Sequence, residues 1–554
     1  MAPKASDLSI AGRPSAEDRE HTLRPAAITP APAIVDQLVT PPIDSSVNVR
    51  QLRPAQPTEE RLEKPPEAGK RVARNLGALM GGQAVTWTLT LIWTLIVPRA
   101  IGPLGFGLLV SAQSVSSVLG IALGIGARDY LVRETVLAPA AGPRLAGTVL
   151  VLRIGLAPLV GLAAILWARL AHYGHDATLV LYAITVMTIF LLLLDPLQAA
   201  FQAIERMKYI AYGNVVNKVA QSITGIALIV LGFKVIAIAL DMAIIVGLVA
   251  LLSWWWLRPY FKIDVRTNLT LIGRVAKESV AYFATGFFGM IYLWIDTIML
   301  TLMTRPAVVG WYGASTQLFQ TLMFMPVLVQ TAWLPRMVAA FGNSRRHLQE
   351  TARAPMELVL MLSMPIAAST VVVAHVLIRG VYGPAFAQAA PVLMILALCI
   401  PPIYLNIILA SVLVAEKRQS AWAKVMTGAA VFNPLVNLVL IPATEHRYHN
   451  GAIGAAISLV LTELFMDAVG LRLVGRHVFD RRMVKRCALM CLASTGMVAA
   501  AVLSRPFGTV TSLVVAFTTL GALVVILRIV TPEELALARL GIARAKARVT
   551  RNWR

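Results

Sequence analysis

The sequence predicts an all-α polytopic membrane protein with about fourteen transmembrane helices. Of its 554 residues, 57% are hydrophobic and only 14% are charged, and the mean hydropathy is +0.71. Soluble domains carry about 45–50% apolar and about 25% charged residues, so the composition excludes an ordinary soluble enzyme, a disordered scaffold and a secreted disulfide module. From Leu76 onward, apolar runs follow one another, each of roughly 20 residues, the length that crosses about 30 Å of hydrocarbon.

These runs define the predicted spans in chain order. They are 76–98, 104–127, 146–168, 177–200, 211–232, 235–257, 279–303, 307–333, 355–378, 385–414, 420–441, 451–471, 484–503 and 508–528.

The positive charges support this partition. The chain has 50 Lys+Arg against 28 Asp+Glu, a net charge of +22 that in a soluble protein would indicate a nucleic-acid partner. With the N-terminus in the cytoplasm, 33 cations beside or after the predicted spans lie on the inner side and seven on the outer side. Because cytoplasmic loops are enriched in Lys and Arg, this bias predicts a multi-pass cytoplasmic-membrane protein with both termini in the cytoplasm and no nucleic-acid partner.

The N-terminal segment 1–74 differs from the rest of the chain. It is rich in proline, alanine and charge, holds 11 Lys+Arg and 10 Asp+Glu, and lacks the cationic start and apolar core of a signal peptide. We predict a disordered cytoplasmic tail here. The remaining predicted domains are an N-terminal six-helix lobe (75–257), a C-terminal six-helix lobe (258–471), two additional helices (472–530) and a basic cytoplasmic segment (531–554).

Two sequence matches predict the lobes. Arg99 and Arg305 each precede a glycine by eight residues, at Gly107 and Gly313, and each pair opens an apolar span. Farther along, Glu205-Arg206 and Glu416-Lys417 each end a span. The offsets of 206 and 211 residues nearly agree, which indicates two repeats in the same orientation. Parallel repeats of this kind are a transporter architecture with the substrate site between the lobes.

No nucleotide-binding or hydrolase motif accompanies the spans. The sequence contains no GxxxxGK[ST], HExxH or GxSxG motif in its required context, and its three cysteines form no CxxC pair. We therefore expect a non-enzymatic protein without a metal or cofactor. Transport would be driven by substrate supply or by a proton or sodium gradient.

Ionisable residues inside the spans are the candidate site residues, because charge in hydrocarbon is costly and usually functional. Arg153 and Lys218 each lie about seven residues from the cytoplasmic edge, roughly 10 Å deep. Two cations at that depth could bind a phosphate or diphosphate in an inward-facing cavity. The alternative is structural pairing of either cation with Asp195.

The acidic residues inside the spans are candidates for ion coupling or for structural roles. Asp296, in the outer half of its span, is a candidate for cation coupling or for a hydrogen-bonded structural role. Asp195 and Asp241 are further coupling or structural candidates. Glu463 and Asp467 are four residues apart near the inner end of their span, and we expect them to form a solvated helix face.

Several segments resemble bacterial polysaccharide (O-antigen and exopolysaccharide) repeat-unit flippases. These flippases belong to the multidrug/oligosaccharidyl-lipid/polysaccharide exporter superfamily. The most specific are IYLWIDTIMLTLM at 291–303 and VGWYGAS at 309–315. Others are PRAIGPLGFG at 98–107, GIGARDYLVRE at 124–134, ERMKYIAYGNVVNKVAQ at 205–221, NPLVNLVLIP at 433–442 and NGAIGAA at 450–456.

The resemblance implies alternating access that carries an undecaprenyl-diphosphate-linked oligosaccharide from the cytoplasmic to the periplasmic leaflet. It also implies a cationic central cavity, for which Arg153 and Lys218 are the matching positions. Expected partners are the lipid-linked glycan, membrane lipids and polysaccharide polymerase or export machinery. Two other functions stay open: a cation-coupled multidrug antiporter of the same superfamily, and a membrane glycan polymerase or ligase, which the short outer loops disfavour.

Overall fold

The computed structural model describes residues 65–124 and 126–529, and the described chain is helical without strands. The predicted tail up to residue 64 and the segment from 530 lie outside the described residues. Sixteen α-helices are described: α1 (Pro65–Gly124), α2 (Ala127–Leu137), α3 (Gly142–Leu170), α4 (His175–Ala203), α5 (Met207–Val230), α6 (Val235–Leu257), α7 (Leu269–Met303), α8 (Pro306–Gln320), α9 (Phe324–Asn343), α10 (Arg345–Tyr382), α11 (Ala389–Ala397), α12 (Ile400–Ala415), α13 (Gln419–Tyr448), α14 (Gly451–Val474), α15 (Arg481–Leu503) and α16 (Thr509–Ile526).

The all-α polytopic fold class is confirmed. Among the described residues, ten helical segments are long and apolar enough to cross a membrane, and an eleventh is the pair α11 and α12, bent by 44°. Each predicted span falls on a helix or on a broken helix pair. Helix α5 is not among these segments, and α7 contributes the shorter apolar helix Gly289–Met303.

Helix α1 contains two predicted spans separated by a kink. Gly102 has a φ of 70°, outside the helical region, and Pro98 and Pro103 flank it. A left-handed residue interrupts the hydrogen-bond ladder, and glycine adopts this conformation without a Cβ penalty. The kink therefore marks the boundary that the sequence places between the first two spans.

A glycine contact joins α1 to α8. A Cβ added to Gly107 would lie 1.7 Å from the carbonyl oxygen of Pro306, and one added to Gly310 would lie 2.0 Å from that of Pro103. The contact is reciprocal. Gly107 of α1 lies against Pro306, four residues before Gly310, and Gly310 of α8 lies against Pro103, four residues before Gly107. Small residues allow this backbone approach between membrane helices. In the structure, Gly107 therefore contacts Gly310, whereas the sequence repeat aligned Gly107 with Gly313.

The described helices pack mainly against partners in the same half of the chain. Helix α4 packs against α3 and α6, α5 packs against α6, and α2 packs against α4. Farther along the chain, α13 packs against α14 and α7, and α10 packs against α12 and α15. The largest buried cluster includes Tyr382, Phe386 and Tyr404. From Gly69 onward the described residues form one compact unit, so the lobe boundaries at 257 and 471 stay predictions.

Candidate functional site

A central cavity of about 600 Å³ is lined by residues from α1, α5 to α9 and α12 to α14. It therefore draws on helices from both halves of the described chain. Transporters built from two parallel repeats bind their substrates near the bilayer midplane, between the repeats. Three ionisable side chains other than tyrosine line it: Lys218, Asp296 and Glu463.

Lys218 lies on α5 and is half-buried. No ion pair of Lys218 occurs among the described side chains. Its ammonium group is thus a point charge that an anionic ligand in the cavity can use without displacing a protein carboxylate.

Asp296 is buried in a network of neutral donors. One carboxylate oxygen accepts a hydrogen bond of 3.0 Å from the Tyr312 hydroxyl, and the other accepts one of 2.6 Å from the Asn437 amide. Asn437 also donates to Asn433 over 2.7 Å, which links two adjacent turns of α13. The network joins α7, α8 and α13, with no cation partner in the part of the chain that the structure describes.

Glu463 has a second network of the same kind. It accepts hydrogen bonds from the Tyr292 hydroxyl and, over 2.7 Å, from the Asn406 amide. Glu463 is 1% exposed and Asp467 is 8% exposed, so the predicted solvated face is wrong. The physical reason is that α14 packs against α12, α13 and α7, which cover this face although it lies near the helix end.

Arg153 and Asp195 form the ion pair that the sequence left as an alternative. An Arg153 nitrogen lies 2.7 Å from one Asp195 oxygen, and Arg128 lies 2.7 Å from the other. Arg153 also donates to the Leu192 carbonyl oxygen. The three side chains join α2, α3 and α4, and they do not line the central cavity in this conformation.

The structure thus brings Lys218 and Asp296 to one cavity and places Arg153 and Asp195 elsewhere. Asp241, on α6, does not line the cavity either, and one of its carboxylate oxygens is buried without a hydrogen-bond partner among the described groups. Substrate binding by Arg153 and Lys218, and ion coupling by Asp195, Asp241 and Asp296, stay predictions.

Amide side chains are the feature of the cavity that the sequence did not indicate. In the sequence these residues appear only as glutamines and an asparagine within apolar spans, and that pattern does not indicate which helix face lines a cavity. Six amides line the wall: Gln113, Gln221, Gln317, Gln320, Gln330 and Asn406. Trp93, Trp294 and Trp422 add aromatic surface beside them.

Known proteins share this fold. The lipid II flippase MurJ in an inward closed conformation superposes with a TM-score of 0.66 at 12% identity, covering 81% of this chain and 98% of that chain. An inward-facing multidrug resistance MATE family transporter of the MOP superfamily gives a TM-score of 0.57 at 12% identity, with 74% and 95% covered. The MATE multidrug transporter DinF-BH gives 0.52 at 16% identity, with 74% and 96% covered.

Two family models match the sequence itself. The model of the polysaccharide biosynthesis protein family matches residues 72–341, and the MatE model matches residues 281–439. No curated protein sequence matches the chain significantly. The two models overlap at residues 281–341, which include the segments at 291–303 and 309–315, so this chain is similar to the polysaccharide and lipid flippases of the multidrug/oligosaccharidyl-lipid/polysaccharide exporter superfamily.

Proposed function

We propose that the protein flips an undecaprenyl-diphosphate-linked oligosaccharide repeat unit across the bacterial cytoplasmic membrane by alternating access, for polysaccharide export. The observation that carries this proposal is the central cavity, whose described wall combines one cation outside any ion pair, Lys218, with a set of amides. A diphosphate needs a cation, and sugar hydroxyls need groups that both donate and accept hydrogen bonds. In the orientation that the positive charges predict, both termini are cytoplasmic. The flipped repeat unit would then pass to polymerase or export proteins.

Alternating access requires the cavity to open on each side of the membrane in turn. The Gly107–Gly310 contact closes α1 against α8 at the end that the charge distribution assigns to the outer face. In the proposed cycle this contact holds the cavity shut toward the outside while the substrate enters from the cytoplasm, and it separates for release.

Asp296 is the proposed site of coupling to a proton or sodium gradient. Its neutral donors Tyr312 and Asn437 can rearrange around a bound cation or proton without the loss of an ion pair. The substrate-binding role predicted for Arg153 requires a conformation in which Asp195 releases it. Normal polysaccharide export by a stably inserted Arg153→Ala variant would contradict that role.

The test of the main proposal is flipping in proteoliposomes. A fluorescent undecaprenyl-diphosphate oligosaccharide in the inner leaflet becomes accessible to a membrane-impermeant quencher when it is flipped. Lys218→Gln should slow flipping by about tenfold or more, because one charge-assisted contact to the diphosphate is lost. Lys218→Arg should retain most of the rate. In cells, depletion of the protein should accumulate lipid-linked glycans on the cytoplasmic leaflet, and a lack of accumulation would contradict the proposal.

A cation-coupled multidrug antiporter is the second candidate. The observation that favours it is the pair of carboxylates on the cavity wall, since Asp296 and Glu463 would attract cationic substrates. This function predicts raised drug sensitivity together with normal surface glycan in a deletion strain, the opposite of what the flippase predicts.

A further inference from the structure

We propose that the cavity selects a repeat unit whose sugars are uncharged, and that it disfavours units carrying uronic acids or other acidic groups. The inference rests on the proposed flippase function and names the substrate class for the same cavity. It departs from the cationic cavity that the family resemblance implies.

The first step is the charge of the wall. Among the described residues that line the cavity, Lys218 is the one cation, and it shares the wall with two carboxylates. A substrate linked through a diphosphate already brings negative charge and uses this cation. A second anionic group on the sugar would therefore enter a site without a counter-charge, where an unpaired charge is costly.

The second step excludes help from residues behind the wall. The groups that donate to Asp296 and Glu463 are neutral: the hydroxyls of Tyr312 and Tyr292 and the amides of Asn437 and Asn406. Arg153, the one buried arginine among the described residues, pairs with Asp195 and does not line the cavity. The described partners of the two wall carboxylates, and Arg153, thus supply no positive charge to an acidic sugar.

The third step concerns what the amides can bind. Gln113 and Gln320 make no side-chain hydrogen bond with the described residues, and the oxygen of Gln317 is buried without a partner while its nitrogen donates to Thr94 over 2.8 Å. A primary amide donates and accepts at one position, as a sugar hydroxyl does. Trp294 and Trp422 supply flat apolar surface against which pyranose rings can pack.

The test uses two substrates that differ at one carbon. One is an undecaprenyl-diphosphate-linked triglucoside, and the other carries glucuronic acid in place of the terminal glucose, so a CH2OH becomes a carboxylate. In proteoliposomes we expect the neutral substrate to flip about tenfold faster or more, because only the acidic one lacks a counter-charge. Equal rates, or faster flipping of the acidic substrate, would overturn the inference and leave the flippase function intact. If neither is flipped, both fail.

A variant checks that charge is the cause. Gln320→Lys adds a cation at an exposed position on the cavity wall, where the substitution does not strain the core. We expect it to reduce the preference for the neutral substrate by about threefold or more, while Gln320→Asn, the matched control, keeps it. An unchanged preference in Gln320→Lys would contradict the electrostatic explanation.

Discussion

Two buried acidic regions of the described chain, one in each half, are stabilised in different ways. In the first half, Asp195 is held by Arg128 and Arg153, so opposite charges compensate one another across α2, α3 and α4. In the second half, Asp296 and Glu463 are surrounded by hydroxyl and amide donors, without a described cation partner.

This difference separates a fixed site from an adaptable one. A buried ion pair tolerates little change, since removal of either partner leaves an uncompensated charge. A carboxylate among neutral donors can gain or lose a cation or proton with small rearrangements of hydroxyls and amides. We therefore expect the first-half cluster to hold helices together and the second-half networks to respond to ions and substrate.

The largest effect should follow from Asp195→Ala. It leaves Arg153, whose side chain is 4% exposed, without its carboxylate, and the loss of one partner of a buried pair costs about 3–5 kcal/mol. Thermal unfolding in detergent should show a strongly lowered melting temperature or a failure to insert.

Two controls sharpen this result. Glu350→Ala breaks the exposed Arg346–Glu350 pair and should change stability by about 0.5 kcal/mol or less. Arg153→Met combined with Asp195→Leu should be more stable than Asp195→Ala alone. If Asp195→Ala is as mild as Glu350→Ala, the contrast between the Asp195 cluster and the Asp296 and Glu463 networks fails.

The second effect concerns the place where α1 meets α8. Gly107→Ala puts a methyl group 1.7 Å from the Pro306 carbonyl oxygen, so the two helices must separate at this point. Overpacking of this kind costs about 1–3 kcal/mol, enough to shift the population toward outward-open conformations. Spin labels at Leu104 and Arg305, in a background without native cysteines, should report a longer distance.

Gly155→Ala is the matched control, because a Cβ on this glycine of α3 has no atom within 4 Å. It should leave both the distance distribution and the flipping rate unchanged. A Gly107→Ala protein with the wild-type distance would show that the contact does not govern access to the cavity.

The sequence predicts the helices well and their faces poorly, for a physical reason. A membrane span must satisfy its backbone internally, so length and apolarity alone locate it. The contacts of a side chain depend on helix rotation, which a single apolar span hardly constrains. The sequence therefore placed Glu463 on a solvated face, left the pairing of Arg153 open, and gave no sign that Gln113 and Gln317 share a cavity. Asp296 stood out because a lone carboxylate in hydrocarbon is costly wherever it points.

The third effect is on coupling at Asp296. Asp296→Asn keeps the shape of the side chain and can still accept from Tyr312, but it removes the charge that would attract a cation. We expect flipping to persist at a reduced rate that no longer responds to an imposed sodium or proton gradient. Asp195 offers the contrast, since its substitution should affect folding. A full gradient response in Asp296→Asn would move the coupling site elsewhere.

The smallest effect should be that of Glu463→Gln. The hydroxyl of Tyr292 can still donate to the remaining oxygen, and the Asn406 oxygen, which has no partner among the described groups, can accept from the new amide after Asn406 flips. Both side-chain hydrogen bonds are thus retained and only the long one of 3.4 Å from Asn406 to the Glu463 backbone oxygen is lost, so the free energy of unfolding should change by less than about 1 kcal/mol. Glu463→Ala leaves the Tyr292 hydroxyl without an acceptor and leaves the Asn406 amide only its long hydrogen bond of 3.4 Å to the backbone oxygen of residue 463, so it should cost about 2 kcal/mol or more in thermal unfolding. If Glu463→Gln is as destabilising as Asp195→Ala, the second-half network depends on charge as the first-half cluster does, and the proposed division between a fixed and an adaptable site is wrong.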